Sequence, residues 1–309
     1  MKQTRVLTEA AIVLAIYSIL LVIAMYLPLI GLVAMFFLAS PFIIFLLRNG
    51  IRAFFPMFLA SFFISLFLGP LIALPLTFVF GIAGLVMGYF YHKKDSMLAI
   101  VGGTIAYLVT TVVNYIVSIA FFEFDIFKEL IEEFKTSIND TVQLFSSFGQ
   151  DMPEETIQQL NQFVDLFGYL LPTIFVFSSF VMAILTHVLN RPLLNRLKLE
   201  VQSLKPFREW RLPKSIIWYY LAAIILSFMN MTEGSFLHIA SLNIIFTLQL
   251  LLLLQGFSFI FYYQHVKQLT KALSILAVVI SLIIPYLTEF IRILGIIDLG
   301  FDLRDKLKR

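Results

Sequence analysis

From residue 6 to residue 121 the chain is apolar in runs about as long as a bilayer is thick. From Phe122 to Gly168 it is abruptly polar, and then the apolar runs resume. A run of about 20 apolar residues matches the roughly 30 Å hydrocarbon core when wound as a helix. The composition agrees, at 60% hydrophobic and 13% charged residues, where a soluble domain is about a quarter charged. The 309 residues therefore convert into membrane crossings, and the expected fold is all-α, a polytopic helical membrane bundle of about nine or ten segments. There is no cysteine, which excludes disulfides, thiolate metal sites and cysteine nucleophiles.

The charges are segregated by sign. Residues 122–168 carry acids from Glu123 and Asp125 through Glu132 and Glu133 to Asp165, against only Lys128 and Lys135. Lys2/Arg5, Arg48/Arg52 and Lys93/Lys94 fall in the gaps between the early runs. By the positive-inside rule they lie in the cytoplasm, with the N-terminus. The run Met97–Phe121 then exits and leaves the acidic stretch outside. Acids and cations give this orientation independently. Such segregation is a topological signal and does not point to nucleic acid. The first run lacks a small-residue cleavage site at Tyr26-Leu27-Pro28-Leu29, so it reads as an uncleaved helix.

The acidic stretch predicts two amphipathic outer helices. Phe124, Phe127, Ile131, Phe134 and Ile138 recur at helical spacing, and Pro153-Glu154-Glu155 opens a second apolar face of Ile157, Leu160, Val164 and Phe167. They either cover the outer end of the bundle or form a lid over a binding site. The segment from Tyr169 to Leu189 returns, with Pro172 as an expected kink. A basic loop, 191–214, follows. Segments 215–229 and 236–263 come next, joined through a turn at 230–235. The run 272–301 is too long for one straight span, and a basic tail follows it. Two short helices broken near Pro285–Glu289 keep that tail inside, whereas one crossing leaves it outside; the hairpin is the preferred reading. The domains read as a six-helix unit (1–190) containing the insert 122–168, the loop 191–214, and C-terminal membrane helices (215–309) ending in a hairpin.

No residue pattern points to catalysis. His92, His187, His238 and His265 are far apart and read as interfacial. No metal-spaced pair, Walker loop or serine-hydrolase motif is present. The expectation is a non-enzymatic protein with no cofactor, no metal site and no ATPase of its own. Ionisable groups within apolar runs are costly and suggest function. The candidates are Glu9, which Arg5 can pair, and a C-terminal polar cluster of Glu289, Arg292, Asp298, Asp302 and Arg304. That cluster is either a set of ion pairs fastening the terminal hairpin or a coupling-ion or proton site. Asn114, Asn243, Gln249 and Gln255 are uncharged polar residues in spans, suited to interhelical hydrogen bonds or to lining a cavity. Gly81-x-x-Gly84-x-x-x-Gly88 and Gly102-Gly103 read as close-packing positions.

The opening Thr8-Glu9-Ala10-Ala11-Ile12-Val13-Leu14-Ala15 resembles that of substrate-binding S components of energy-coupling-factor transporters. There an alanine-x-x-x-alanine face docks the coupling subunit, which the resemblance carries to Ala11 and Ala15. The six segments before Arg191 match the S-component count. Gly295-Ile296-Ile297-Asp298-Leu299-Gly300-Phe301-Asp302-Leu303-Arg304, together with the whole layout, resembles the YybS-type family of uncharacterised bacterial multi-pass membrane proteins. The resemblance implies a plasma-membrane protein surrounded by lipid. It also implies a transporter component that takes a small-molecule ligand and needs separate coupling and ATPase subunits. The alternative is a membrane scaffold that recruits partners through the basic loop and the outer acidic helices.

Overall fold

The computed structural model describes residues 2–229 and 231–307. Asn230 of the expected turn and Lys308 and Arg309 of the basic tail lie outside the described residues. The described residues form helices and turns with no strand. In chain order the helices are α1 (Lys2–Tyr26), α2 (Pro28–Met35), α3 (Ser40–Asn49), α4 (Ile51–Leu68), α5 (Pro70–His92), α6 (Ser96–Phe122), α7 (Ile126–Ser147), α8 (Glu154–Tyr169) and α9 (Leu171–Arg196). A single 3-10 turn, Phe207–Glu209, precedes α10 (Ser215–Ser227), α11 (Phe236–Val266), α12 (Lys271–Ile283), α13 (Pro285–Phe301) and α14 (Leu303–Leu307).

Among the described residues, seven helical segments are long and apolar enough to cross a membrane: 3–26, 28–49, 51–68, 71–92, 96–122, 171–196 and 236–266. The second joins α2 and α3 through a tight turn at 36–39. The expected nine or ten segments also counted α10, α12 and α13. These have 13, 13 and 17 residues, and 13 residues make only about 20 Å of helix. Such short elements need protein around them.

The chain divides into two compact units, residues 1–126 with 174–204 and residues 127–173 with 205–309. The acidic insert thus groups with the C-terminal helices, which differs from the domain boundaries expected from sequence. Asn243 of α11 supplies a reason. It donates to the Tyr169 carbonyl at 2.7 Å, and its Oδ1 accepts from the Thr173 N–H at 2.9 Å and the Thr173 hydroxyl at 2.7 Å.

In the first unit, glycines let α5 approach its neighbours. A Cβ on Gly84 would lie 2.6 Å from Phe42 Cβ and 3.1 Å from the Ala39 carbonyl oxygen, and one on Gly103 would lie 2.8 Å from Met87 Cγ. The expected packing role of these glycines is what the geometry shows. Buried hydroxyls tie the helices further. Tyr17 and Thr77 share a 2.6 Å hydrogen bond, and Ser65 also bonds Thr77. All three are fully buried. In an apolar bundle such bonds hold helices together where lipid offers no alternative partner.

One sequence expectation is corrected. Pro172 does not kink a span. It is the second residue of α9, where a proline costs no helical hydrogen bond. His187, expected at an interface, is buried within the protein, and its Nδ1 lies 2.8 Å from the hydroxyl of Tyr91, the residue before His92-Lys93-Lys94.

In the second unit, α7 and α8 are amphipathic as expected, and Lys135 pairs with Asp165 at 2.6 Å. The chain after α11 turns back on itself. Pro285 opens α13 with Ile284 extended before it, as the steric demand of proline on its preceding residue requires. Lys271 starts α12 just beyond the end of α11, and Arg304 lies beside Tyr262, one turn from that same end. Residues 272–301 therefore leave that end and come back to it.

Candidate functional site

The first unit has a half-open cavity of about 280 Å³ between α2, α5, α6 and α9. Met35, Leu76, Val79, Phe80 and Met182 form its apolar wall. The polar wall comes from one face of α6, where Tyr107, Thr111 and Asn114 stand at i, i+4 and i+7. Ser178 and Ser179 of α9 complete it.

The hydrogen bonds show which of these groups are committed. The Tyr107 hydroxyl lies 2.9 Å from Thr186 Oγ1. Asn114 Nδ2 donates to the Pro75 carbonyl at 3.1 Å, and Ser178 donates to the Phe175 carbonyl at 3.2 Å. Thr111, Ser179 and the Asn114 Oδ1 have no partner among the described residues. Two hydroxyls and one amide oxygen are thus available beside an apolar wall, and no charged side chain lines the space. A site of this kind suits an uncharged or amphiphilic molecule, since a bare ion would find no opposite charge there. Sequence reasoning singled out only Asn114. The missed signal was the i, i+4, i+7 polar stripe through Tyr107 and Thr111 in an otherwise apolar helix.

Ala11 and Ala15 are both exposed on α1. Neither packs against this chain's own core, so the face remains open to lipid or a partner.

The five C-terminal ionisable residues do not form one cluster. Arg292 donates to Glu289 at 2.8 Å, by itself, early in α13. Asp298 and Arg304 form a second, buried pair at 2.9 Å, 0% and 6% exposed as side chains. Arg304 Nη1 also donates to the Arg208 carbonyl at 2.8 Å and Nη2 to Ser258 Oγ at 3.1 Å, and its guanidinium stacks 5.3 Å from the Tyr262 ring centre. Gln255 bridges: its Nε2 donates to Asp298, and its Oε1 accepts the Leu212 N–H at 2.9 Å. The pair therefore clamps residues 207–212 to α11 and α13. Every guanidinium nitrogen of Arg304 is engaged, while Asp298 Oδ1 is left without a partner, and the set of contacts fits a structural fastening.

Asp302 lies outside that pair. It accepts from Lys214 and Arg211 of the basic loop. The Lys214 hydrogen bond, with the charge of Arg211 behind it, holds the Asp302 carboxyl below its usual value. The charged form is the one that folding favours, so its contribution is complete above the ordinary carboxylate range. It is lost as pH falls through the lowered value. Detergent-solubilised protein should lose thermal stability on acidification below about pH 5, and Asp302→Asn should flatten that part of the profile. An unchanged acid profile in Asp302→Asn would show that other groups govern it.

Among the described residues no group of three His, Asp or Glu side chains is placed to hold a metal ion. A family described as "Predicted membrane protein (DUF2232)" matches residues 15–299. The "Uncharacterized protein YybS" of Bacillus subtilis (strain 168) is similar over the full length of both chains, at 32% identity over 309 residues. No solved structure matches. With a match across nearly the whole chain and a full-length relative of this identity, the chain belongs to the DUF2232 family of predicted membrane proteins.

Proposed function

We propose that this membrane protein is the binding component of a small-molecule transport system of the plasma membrane and performs no chemistry itself. The cavity lined by Tyr107, Thr111, Asn114, Ser178 and Ser179 carries the reading. Its free hydroxyls and amide oxygen would orient a small uncharged or amphiphilic ligand, and the apolar wall would hold its body. Movement of the ligand would need energy from separate coupling and ATPase subunits. The exposed Ala11/Ala15 face of α1, which resembles an S-component docking face, is the surface offered to them. With the basic loops on the cytoplasmic side, the N-terminus is cytoplasmic. The cavity then sits in the outer half of the spans, near the start of α5 and α9 and the end of α6.

The scaffold alternative draws less support. Arg211 and Lys214 of the basic loop are engaged by Asp302, and the Arg208 carbonyl by Arg304, so part of that loop is bound within its own chain.

The test is retention of ligand. Full-length protein purified in mild detergent is denatured, and the released small molecules are identified by mass spectrometry. Wild type should release one compound in near-equal amount to protein. Asn114→Leu and Ser179→Leu should each retain about tenfold less or lower, the effect of losing one buried hydrogen bond and leaving its partner unsatisfied. Equal retention by both variants would remove the cavity from the account.

A further inference from the structure

A second space in the first unit lies open on its surface, between α1 and α4. It is a groove of about 480 Å³ lined by Val6, Leu7, Ala10, Ala11 and Leu14 on one side and by Ala53, Pro56 and Ala60 on the other. Phe45 and Met57, both buried, also line it. The groove exists because the residues along its rim are small. Ala10, Ala11, Ala53 and Ala60 leave room that larger side chains would fill.

One end of the groove is cationic. Arg52 precedes Ala53 on α4 and shares a side of that helix with Pro56 and Ala60, at i, i+4 and i+8. Arg48 lies in the last turn of α3, beside Asn49, whose Nδ2 donates to Glu9 of α1 at 2.9 Å. That bond brings the end of α3 to the first turns of α1, where the groove begins at Gln3. Arg48 and Arg52 are both exposed, neither forms an ion pair within 4.0 Å among the described residues, and Arg48 acts on Glu9 only at longer range. The nearby carboxylate, Glu9, is already paired with Arg5 at 3.5 Å as well as with Asn49. A surplus of two cations therefore stands at the mouth of an apolar groove.

Length selects the occupant. On α1 the lining runs from Gln3 to Leu14, about 16 Å of helix. The hydrocarbon core is about 30 Å thick, so the groove is about half as long as that core is thick. That is the depth of one leaflet's acyl chains, whereas a partner helix crossing the membrane would call for a groove along the whole span.

We infer that the α1–α4 groove binds one anionic phospholipid, with an acyl chain along Val6, Ala10 and Ala53 and its phosphate between Arg48 and Arg52. The apolar lining would accept the chain of any lipid. The two arginines would select the charge, since a cation near an anionic lipid surface contributes favourably and additively. The inference stands apart from the ligand of the inner cavity.

The test uses the full chain, delipidated in detergent, and native mass spectrometry with phosphatidylglycerol or phosphatidylcholine carrying identical acyl chains. Wild type should bind phosphatidylglycerol about thirtyfold more tightly, the contribution of two cations. Arg48→Gln/Arg52→Gln should abolish that preference while phosphatidylcholine binding is unchanged. Both substitutions are at exposed positions, so folding should be unaffected. Ala53→Leu/Ala60→Leu, both on α4 and away from the Ala11/Ala15 face, should weaken both lipids by filling the groove. Equal binding of the two lipids by wild type would overturn the inference. So would undiminished phosphatidylglycerol binding by the groove-filled variant, or co-purification of a membrane protein that Ala53→Leu/Ala60→Leu releases while lipid binding persists. The last result would assign the groove to a partner helix.

Discussion

Arg304→Met should cost the second unit about 3–5 kcal/mol, the usual effect of leaving one member of a buried ion pair without the other. That is a large fraction of the roughly 5–15 kcal/mol by which folded domains are stable. Asp298 would keep only the Gln255 amide, and its Oδ1 already has no hydrogen-bond partner. The Arg208 carbonyl and Ser258 would also lose a donor. Thermal unfolding in detergent measures the loss. The double variant Asp298→Leu/Arg304→Met separates two accounts of it. If the pair serves structure alone, apolar replacement of both charges should recover most of the stability. If Asp298 is instead a proton or coupling-ion site, the double variant should fold yet lose function. A single Arg304→Met variant as stable as wild type would contradict the burial on which the argument rests.

The second large effect is expected at Gly295. There α13 crosses α11 so closely that a Cβ on Gly295 would meet the Leu252 carbonyl oxygen and lie 2.9 Å from the Gly256 backbone nitrogen. On the opposite helix a Cβ on Gly256 would meet the Ile291 carbonyl oxygen. These neighbours are backbone atoms and cannot rotate away. Gly295→Val must therefore part the two helices or bend one of them, at about 3 kcal/mol or more, the upper end of overpacking effects. The consequences should extend to the clamp, since Asp298 follows on the same helix and Arg304 on α14 directly after it. Protease accessibility of the loop 205–214 should rise in Gly295→Val and not in Gly300→Ala, where the nearest atom is a side-chain methyl 3.7 Å away. Equal protection in both variants would show that the crossing can relax.

Much of this was legible in the sequence because lipid imposes few choices. The apolar runs gave the spans, the polar stretch gave the amphipathic pair α7 and α8, and Pro285 gave the break between α12 and α13. What could not be read was long-range pairing. Asp302, Arg304 and Asp298 are close in sequence, yet Asp302 bonds Arg211 and Lys214 about 90 residues earlier. Asp298 alone takes Arg304. Linear order cannot distinguish these pairings, because the choice depends on how α13 is tilted across α11. Gly256 and Gly295 were not recognised as a pair for the same reason, as they lie in separate helices and form no small-x-x-x-small repeat. The burial of His187 shows a further limit, because nothing near it in sequence announces Tyr91, 96 residues earlier, as its partner. The cavity was only partly visible. Hydroxyls in an apolar helix usually bond their own backbone, as Thr104 and Thr110 do here, so Thr111 did not stand out.

The claim that this protein is the binding component of a larger transport system meets its most direct test in gentle purification from the native membrane, followed by quantitative mass spectrometry of co-eluting proteins. An ATPase and a membrane coupling subunit should appear in near-stoichiometric amount, and bulky substitutions at both Ala11 and Ala15 should release them. Recovery of the chain alone, or with envelope, division or signalling proteins that the alanine variants retain, would contradict it.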